Sequence, residues 1–126
     1  MTDNKVHILE PAILIRINQF YREGMSGIAL YEATRGVWKV GIKREKANIA
    51  IAVYKGQIKD IYKIISWHPA GTTPYKIRHP DTYNIPGRWE FKGEEVDSNI
   101  KNKYVGKNIS HYFRKGAQNP IMYLNV

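Results

Sequence analysis

Isoleucine recurs at every second position in Ala12-Ile13-Leu14-Ile15-Arg16-Ile17-Asn18, which puts Ile13, Ile15 and Ile17 on one side of an extended chain. β-Branched residues at a period of two predict a strand. Pro11 leaves a helix as the competing assignment, because proline suits a first helical turn. The run Arg22-Glu23-Gly24-Met25-Ser26-Gly27 reads as a turn leading into a helix, with Ser26 placed to cap residues 28–34 and Gly36 placed to stop them. Val37-Trp38-Lys39-Val40 then fits one short strand.

Two apolar, β-rich runs follow, 47–54 and 58–65, separated by Lys55-Gly56-Gln57. That spacing and the glycine predict a hairpin. The first run is apolar on nearly both faces and reads as a central strand. In the second, Ile58, Ile61, Tyr62 and Ile65 also fit a helix, but the short glycine turn favours a strand. Residues 67–86 carry Pro69, Pro74, Pro80 and Pro86 and read as a long loop, a flap over a site. A short strand is expected at 87–93, and a helix over 94–104 from the spacing of Val96, Ile100 and Tyr104, with acids at its start and lysines at its end. A closing strand is expected over 119–126. The predicted fold class is α+β: a small curled sheet or β-barrel with two or three short helices, in a single domain over residues 1–126.

The length of 126 residues suits one core, and a hydrophobic fraction of 43% is that of a folded chain. There is no cysteine, which excludes disulfides, thiolate metal sites and cysteine nucleophiles. No apolar run approaches the roughly 20 residues needed to span a bilayer, and no leader pattern opens the chain. A cytoplasmic protein without a membrane partner is expected.

Charge changes the picture most. Twenty Lys and Arg against eleven Asp and Glu give a formal +9, a field that concentrates polyanions. The excess gathers in two zones. One holds Arg35, Lys39, Lys43, Arg44 and Lys46; the other follows Asp97, with Lys101, Lys103, Lys107, Arg114 and Lys115 and no further acid. Two such zones on one small domain could join into a stripe along a phosphate backbone, or face solvent in different directions.

Gly36-Val37-Trp38-Lys39-Val40, the hairpin over 47–65 and Arg88-Trp89-Glu90-Phe91 together resemble the PUA-like superfamily, which includes ASCH, EVE and SRA-type domains. The resemblance covers about two thirds of the chain as a pattern of elements rather than a motif. It implies a small barrel that binds RNA or takes a modified base into an aromatic pocket, and it transfers no individual site residue.

The residues themselves narrow the chemistry. His7, His68, His79 and His111 lie at no metal-ligand spacing, so no metal and no cofactor is expected, although His68 and His79 could approach each other within the loop. There is no phosphate-loop motif and no G-x-S-x-G elbow. Glu90 lies between Trp89 and Phe91 and behind Arg88; with the two rings inward, Glu90 and Arg88 share a face and can pair. Glu94, Glu95 and Asp97 are read as helix-start acids.

Of the aromatic residues, Trp38 and Trp89 are expected in the core, and Trp67, Tyr75 and Tyr83 exposed. Tyr112 to Asn119 gathers aromatic, cationic and amide groups: Arg114 can fork onto phosphate, and Gln118 or Asn119 can pair with an adenine edge, although an ordinary turn is an equal reading.

The first functional reading is a module that binds nucleic acid, RNA or DNA. Arg35, Lys39, Lys43, Arg44, Arg88, Lys107, Arg114 and Lys115 would contact phosphate, and Trp67 and Tyr112 would stack on bases. The second is an enzyme acting on a nucleotide or nucleic acid, with Glu90 and His111 as general acid–base groups and Arg35 or Arg88 as an anion clamp. The third is a small protein that sequesters a nucleotide-like ligand or binds an acidic protein. Oligomeric state is left open.

Overall fold

The computed structural model describes residues 4–126. Six strands form one sheet: β1 (Ala12–Arg16), β2 (Gly36–Trp38), β3 (Ile49–Tyr54), β4 (Gln57–Pro69), β5 (Trp89–Glu95) and β6 (Ile121–Leu124). Their order across the sheet is β2-β5-β4-β3-β1-β6. β1 runs parallel to β3 and antiparallel to β6, and the remaining pairs are antiparallel. The helices are α1 (Gly27–Arg35) and α2 (Ser98–Tyr104).

Both faces of the sheet are covered, which is why β1 and β3 are apolar at successive positions rather than alternate ones. On one face Leu14, Ile51, Val53, Ile58 and Ile61 pack with Tyr104 of α2 and with Ile8 and Ile109 of the flanking segments. On the other, Ile13, Ile15, Ala50, Ala52, Tyr62 and Phe91 pack beneath Leu30 and Tyr31 of α1 and beside Trp38. The β1 strand, the central place of β3 and the amphipathic β4 agree with the reading from sequence.

The β3–β4 turn needs only Lys55 and Gly56, both at positive φ (+50° and +76°), the backbone that matches the twist of a hairpin. Ser26 caps α1 by accepting a hydrogen bond from Ala29 N at 3.1 Å, and Gly36 ends the helix. The expected closing strand is present as β6, and the segment before it, 114–120, is irregular.

Two boundaries differ. β4 continues to Pro69, so Trp67 and His68 belong to a strand and the loop begins at Ala70. The cause is a bulge: the register with β5 shifts between Ile64 and Ser66, which turns Ile65 outward and breaks the alternation that marks a strand in sequence. The same irregularity bends the long strand and contributes to the curl of the sheet. Glu94 and Glu95 also belong to β5 rather than to a helix, and only Asp97 caps α2, through Ile100 N at 3.0 Å. No helix among the described residues is long and apolar enough to cross a membrane.

Candidate functional site

The loop of residues 70–86 is fastened to α1 and to the sheet by two interior carboxylates. Glu32, on the buried side of α1 and 5% exposed, accepts hydrogen bonds from Lys76 N (2.5 Å), Ile77 N (2.9 Å) and Arg78 N (2.8 Å). Glu90 on β5 is wholly buried and accepts from Gly71 N (2.7 Å), Thr73 N (2.8 Å), Tyr75 Oη (2.8 Å) and the Thr73 hydroxyl. Burial disfavours the charge on Glu90, but the hydrogen bonds from Thr73, Gly71 and Tyr75 outweigh it and hold its carboxyl below the usual range. Glu32 shows the same balance: burial opposes its charge, and the three backbone N–H groups prevail with a smaller contribution from Arg35. Burial, and then donation to Glu90, raise the Tyr75 phenol.

Arg35 completes this interior network. It is 3% exposed; its Nε donates to Phe91 O at 2.9 Å, its Nη2 donates to the Thr73 hydroxyl and lies 4.0 Å from Glu90 Oε2, and its guanidinium sits 4.3 Å above the Tyr75 ring. Tyr75 in turn stacks on Tyr83. Gly36 makes the packing possible: a Cβ there would lie 2.9 Å from both Glu90 Cβ and Tyr75 Oη.

The fastened loop forms one wall of a cleft of about 950 Å³. The other walls are residues 18–20 after β1, Val37 to Lys39 at β2, and the segment 117–121 leading into β6. β2 and β6 are the first and last strands of the sheet order, so the curl brings the two edges to opposite sides of one opening. Arg16, Lys39, Arg78 and Arg88 line it, and among the described residues no Asp or Glu does.

The Arg78 guanidinium donates to neutral oxygens: Nε to the Thr82 hydroxyl (3.0 Å), Nη2 to Thr82 O (3.2 Å), and Nη1 to Glu32 O (3.0 Å) and Gly36 O. Burial lowers its pKa from the usual guanidinium value, yet guanidinium remains charged in proteins. Arg16 Nη2 donates to Ala117 O (2.9 Å) and Asn119 O (2.6 Å), which ties the 114–120 segment to the end of β1. The Arg88 guanidinium makes a long hydrogen bond from Nη1 to Val37 O at 3.4 Å, and Lys39 is exposed. Phe20 and Trp38 supply apolar wall, and Asn18, Gln19, Gln118 and Asn119 supply amides. The lining thus combines positive charge, apolar ring surface and hydrogen-bonding amides in one concave surface.

The residues expected from sequence divide clearly. Lys39 and Arg88 line the cleft, as do Gln118 and Asn119. Arg35, expected at phosphate, is buried. Glu90, expected to pair with Arg88 and to serve as a general base, is sealed beneath the loop and faces Arg35 instead, because β5 turns it toward residues 71–75. His111, the other acid–base candidate, lies exposed against the His7 and Tyr112 rings, whereas Glu90 is buried beneath residues 71–75.

Trp67 is half-buried on β4, with Nε1 donating to Arg44 O at 3.1 Å and its ring against Phe91; it is not an exposed stacking ring. Tyr112 Oη accepts from Ile8 N at 2.9 Å and packs against the core. Arg44 lies 3.7 Å above the half-buried Trp89 ring. Lys43, Arg114 and Lys115 are exposed outside the cleft, and Lys107 lies on the α2 side, where its carbonyl receives Ile58 N. His68 contacts Ser66 at 2.7 Å and His79 contacts Asp81 at 3.6 Å, rather than each other. Among the described residues no three His, Asp or Glu side chains come together to hold a metal ion.

Arg16 and Arg78 escaped the sequence reading. Arg16 stands in the predicted first strand and Arg78 in the proline-rich loop, both outside the two basic zones. The available signal was Lys76-Ile77-Arg78-His79, a basic run inside a loop otherwise rich in turn formers. Comparison with family models, with curated proteins and with solved structures found no match to this chain.

Proposed function

We propose that this chain is a nucleic-acid-binding module whose ligand enters the cleft between the two sheet edges. One observation carries the reading: four cations, Arg16, Lys39, Arg78 and Arg88, converge on a concave surface with no carboxylate among its described lining residues. Low-dielectric walls around charges of one sign focus the field outward and favour an anion. The neighbouring amides and rings fit a base better than they fit a bare phosphate. The PUA-like relationship belongs to the same proposal and makes RNA or a modified base the ligand to try first. A cytoplasmic setting, where RNA and nucleotides abound, completes it.

The test is a binding titration against single- and double-stranded RNA and DNA at two salt concentrations. Four phosphate contacts give a slope of log affinity on log salt of about −3 for a single strand. Arg88→Ala and Lys39→Ala, whose side chains carry little of the fold, are each expected to flatten that slope by about 0.7 and to weaken binding several-fold. Absence of binding, or binding indifferent to salt and to both substitutions, would overturn the reading.

A further inference from the structure

Two smaller hollows adjoin the cleft. The first, of about 500 Å³, shares Arg16 and Asn18 with it and adds Tyr54, Lys55, Ser110 and Phe113. The second, of about 410 Å³, shares Tyr54 and Lys55 with the first and adds Gln57, Lys59 and Asn108. Because neighbouring hollows share residues, the three form a series of adjoining hollows. It runs from Arg88 and Lys39, past Arg16 at the end of β1, to the β3–β4 turn.

The chemistry along this path repeats. The Arg16 guanidinium lies 4.6 Å above the Phe113 ring. Further on, Tyr21 and Tyr54 stack at 4.4 Å, with Lys59 Nζ 5.0 Å from the Tyr21 ring and Lys55 Nζ 5.4 Å from the Tyr54 ring. Two of the lining rings, Phe113 and Tyr54, thus each have a cation close by. Glu23 is the one carboxylate among its described lining residues, and it sits at the far end.

Resting on the nucleic-acid reading above, we infer that the ligand is a single strand several nucleotides long, laid along the whole series of hollows from the cleft to the β3–β4 turn. A duplex offers phosphates to such a path but hides the faces of its bases within the stack, leaving the rings unused. A single strand presents both, and bases of any identity stack on aromatic rings at roughly 1–3 kcal/mol each. A mononucleotide would fill the cleft alone and reach neither Lys55 nor Lys59. The far end therefore sets how strand length is read, while the cleft holds one terminus of the bound segment.

Fluorescence anisotropy with a dinucleotide, a single strand of about twelve nucleotides and a duplex of the same length separates these cases. Affinity is expected to climb steeply from the dinucleotide to the long strand, with the duplex weaker than the strand. The double substitution Lys55→Gln/Lys59→Gln, at one exposed and one half-buried lysine, should weaken the long strand about tenfold and flatten its salt slope by about 1.4, while changing dinucleotide binding less than about twofold. Equal affinity for short and long strands, preference for the duplex, or a long strand indifferent to the double substitution would overturn the extended path and leave the cleft reading standing. If no nucleic acid binds the unaltered protein, both fall together.

Discussion

Glu32 and Glu90 are carboxylates that the fold uses as acceptors for a loop's backbone. Between them they receive hydrogen bonds from residues 71, 73, 75, 76, 77 and 78. Glu90→Gln replaces one acceptor oxygen with an amide that faces donors, so a loss of about 2–4 kcal/mol in unfolding free energy is expected from urea titration. The pH dependence has a definite sign. Both folded carboxyls lie below the usual value of 4.5, so the unfolded chain takes up protons first as acid is added. Their contribution is full above about pH 5 and drains away below about 4.5 as the folded groups protonate. Urea midpoints measured between neutral pH and pH 3 should fall along that course, with a shallower fall in Glu90→Gln. Glu90's place between two aromatic residues was legible in the sequence; its role was not, because every hydrogen-bond partner comes from the loop rather than from its own strand.

The elements follow local rules wherever the rule is local. Ser26 caps α1, the alternation of isoleucines marks β1, and Lys55-Gly56 closes the hairpin because both residues accept positive φ. Gly56 carries the sharper constraint, since a Cβ on it would also approach Ser110 Cβ to 2.7 Å. Gly56→Ala is therefore expected to lower the thermal midpoint, by about 2 kcal/mol of stability or more, with a calorimetric scan as the check. Where β4 carries a bulge the local signal fails. The strand looks finished at Ile65 because one extra residue reverses the side-chain alternation, and only pairing with β5 shows that it continues to Pro69. The length of the loop, and with it the placement of Trp67, depended on that hidden continuation.

At the scale of the molecule, the curl of the sheet turns two distant edges into one opening and gathers cations that are scattered along the chain. A ligand held there binds the folded state alone and raises its stability by about 2.7 kcal/mol at a hundredfold excess over Kd. Adding a single-stranded oligonucleotide at low salt should accordingly raise the melting temperature. Arg88→Ala, with its several-fold weaker binding, should lose about 1 kcal/mol of the gain, and about 0.5 M salt should abolish it for both proteins. The measurement is a melting curve with and without the oligonucleotide; equal gains in the two proteins would place the ligand outside the cleft.

Taken by itself, the sequence determined the fold class, the position of most strands along the chain, both helices and the surplus of positive charge, since these rest on periodicity, capping residues and composition within short windows. It also marked Lys39, Arg88, Gln118 and Asn119, which reach the cleft. The tertiary structure alone decided which charges are interior and which face the opening. Arg35 and Arg88 are alike in sequence, flanking strands beside a tryptophan or a short step from one. Yet Arg35 is enclosed by Glu90, Thr73 and Tyr75, while Arg88 lines the opening. The difference arises because burial depends on which distant segments fold over a residue, and the loop of residues 70–86 closes over Arg35 and stops short of Arg88.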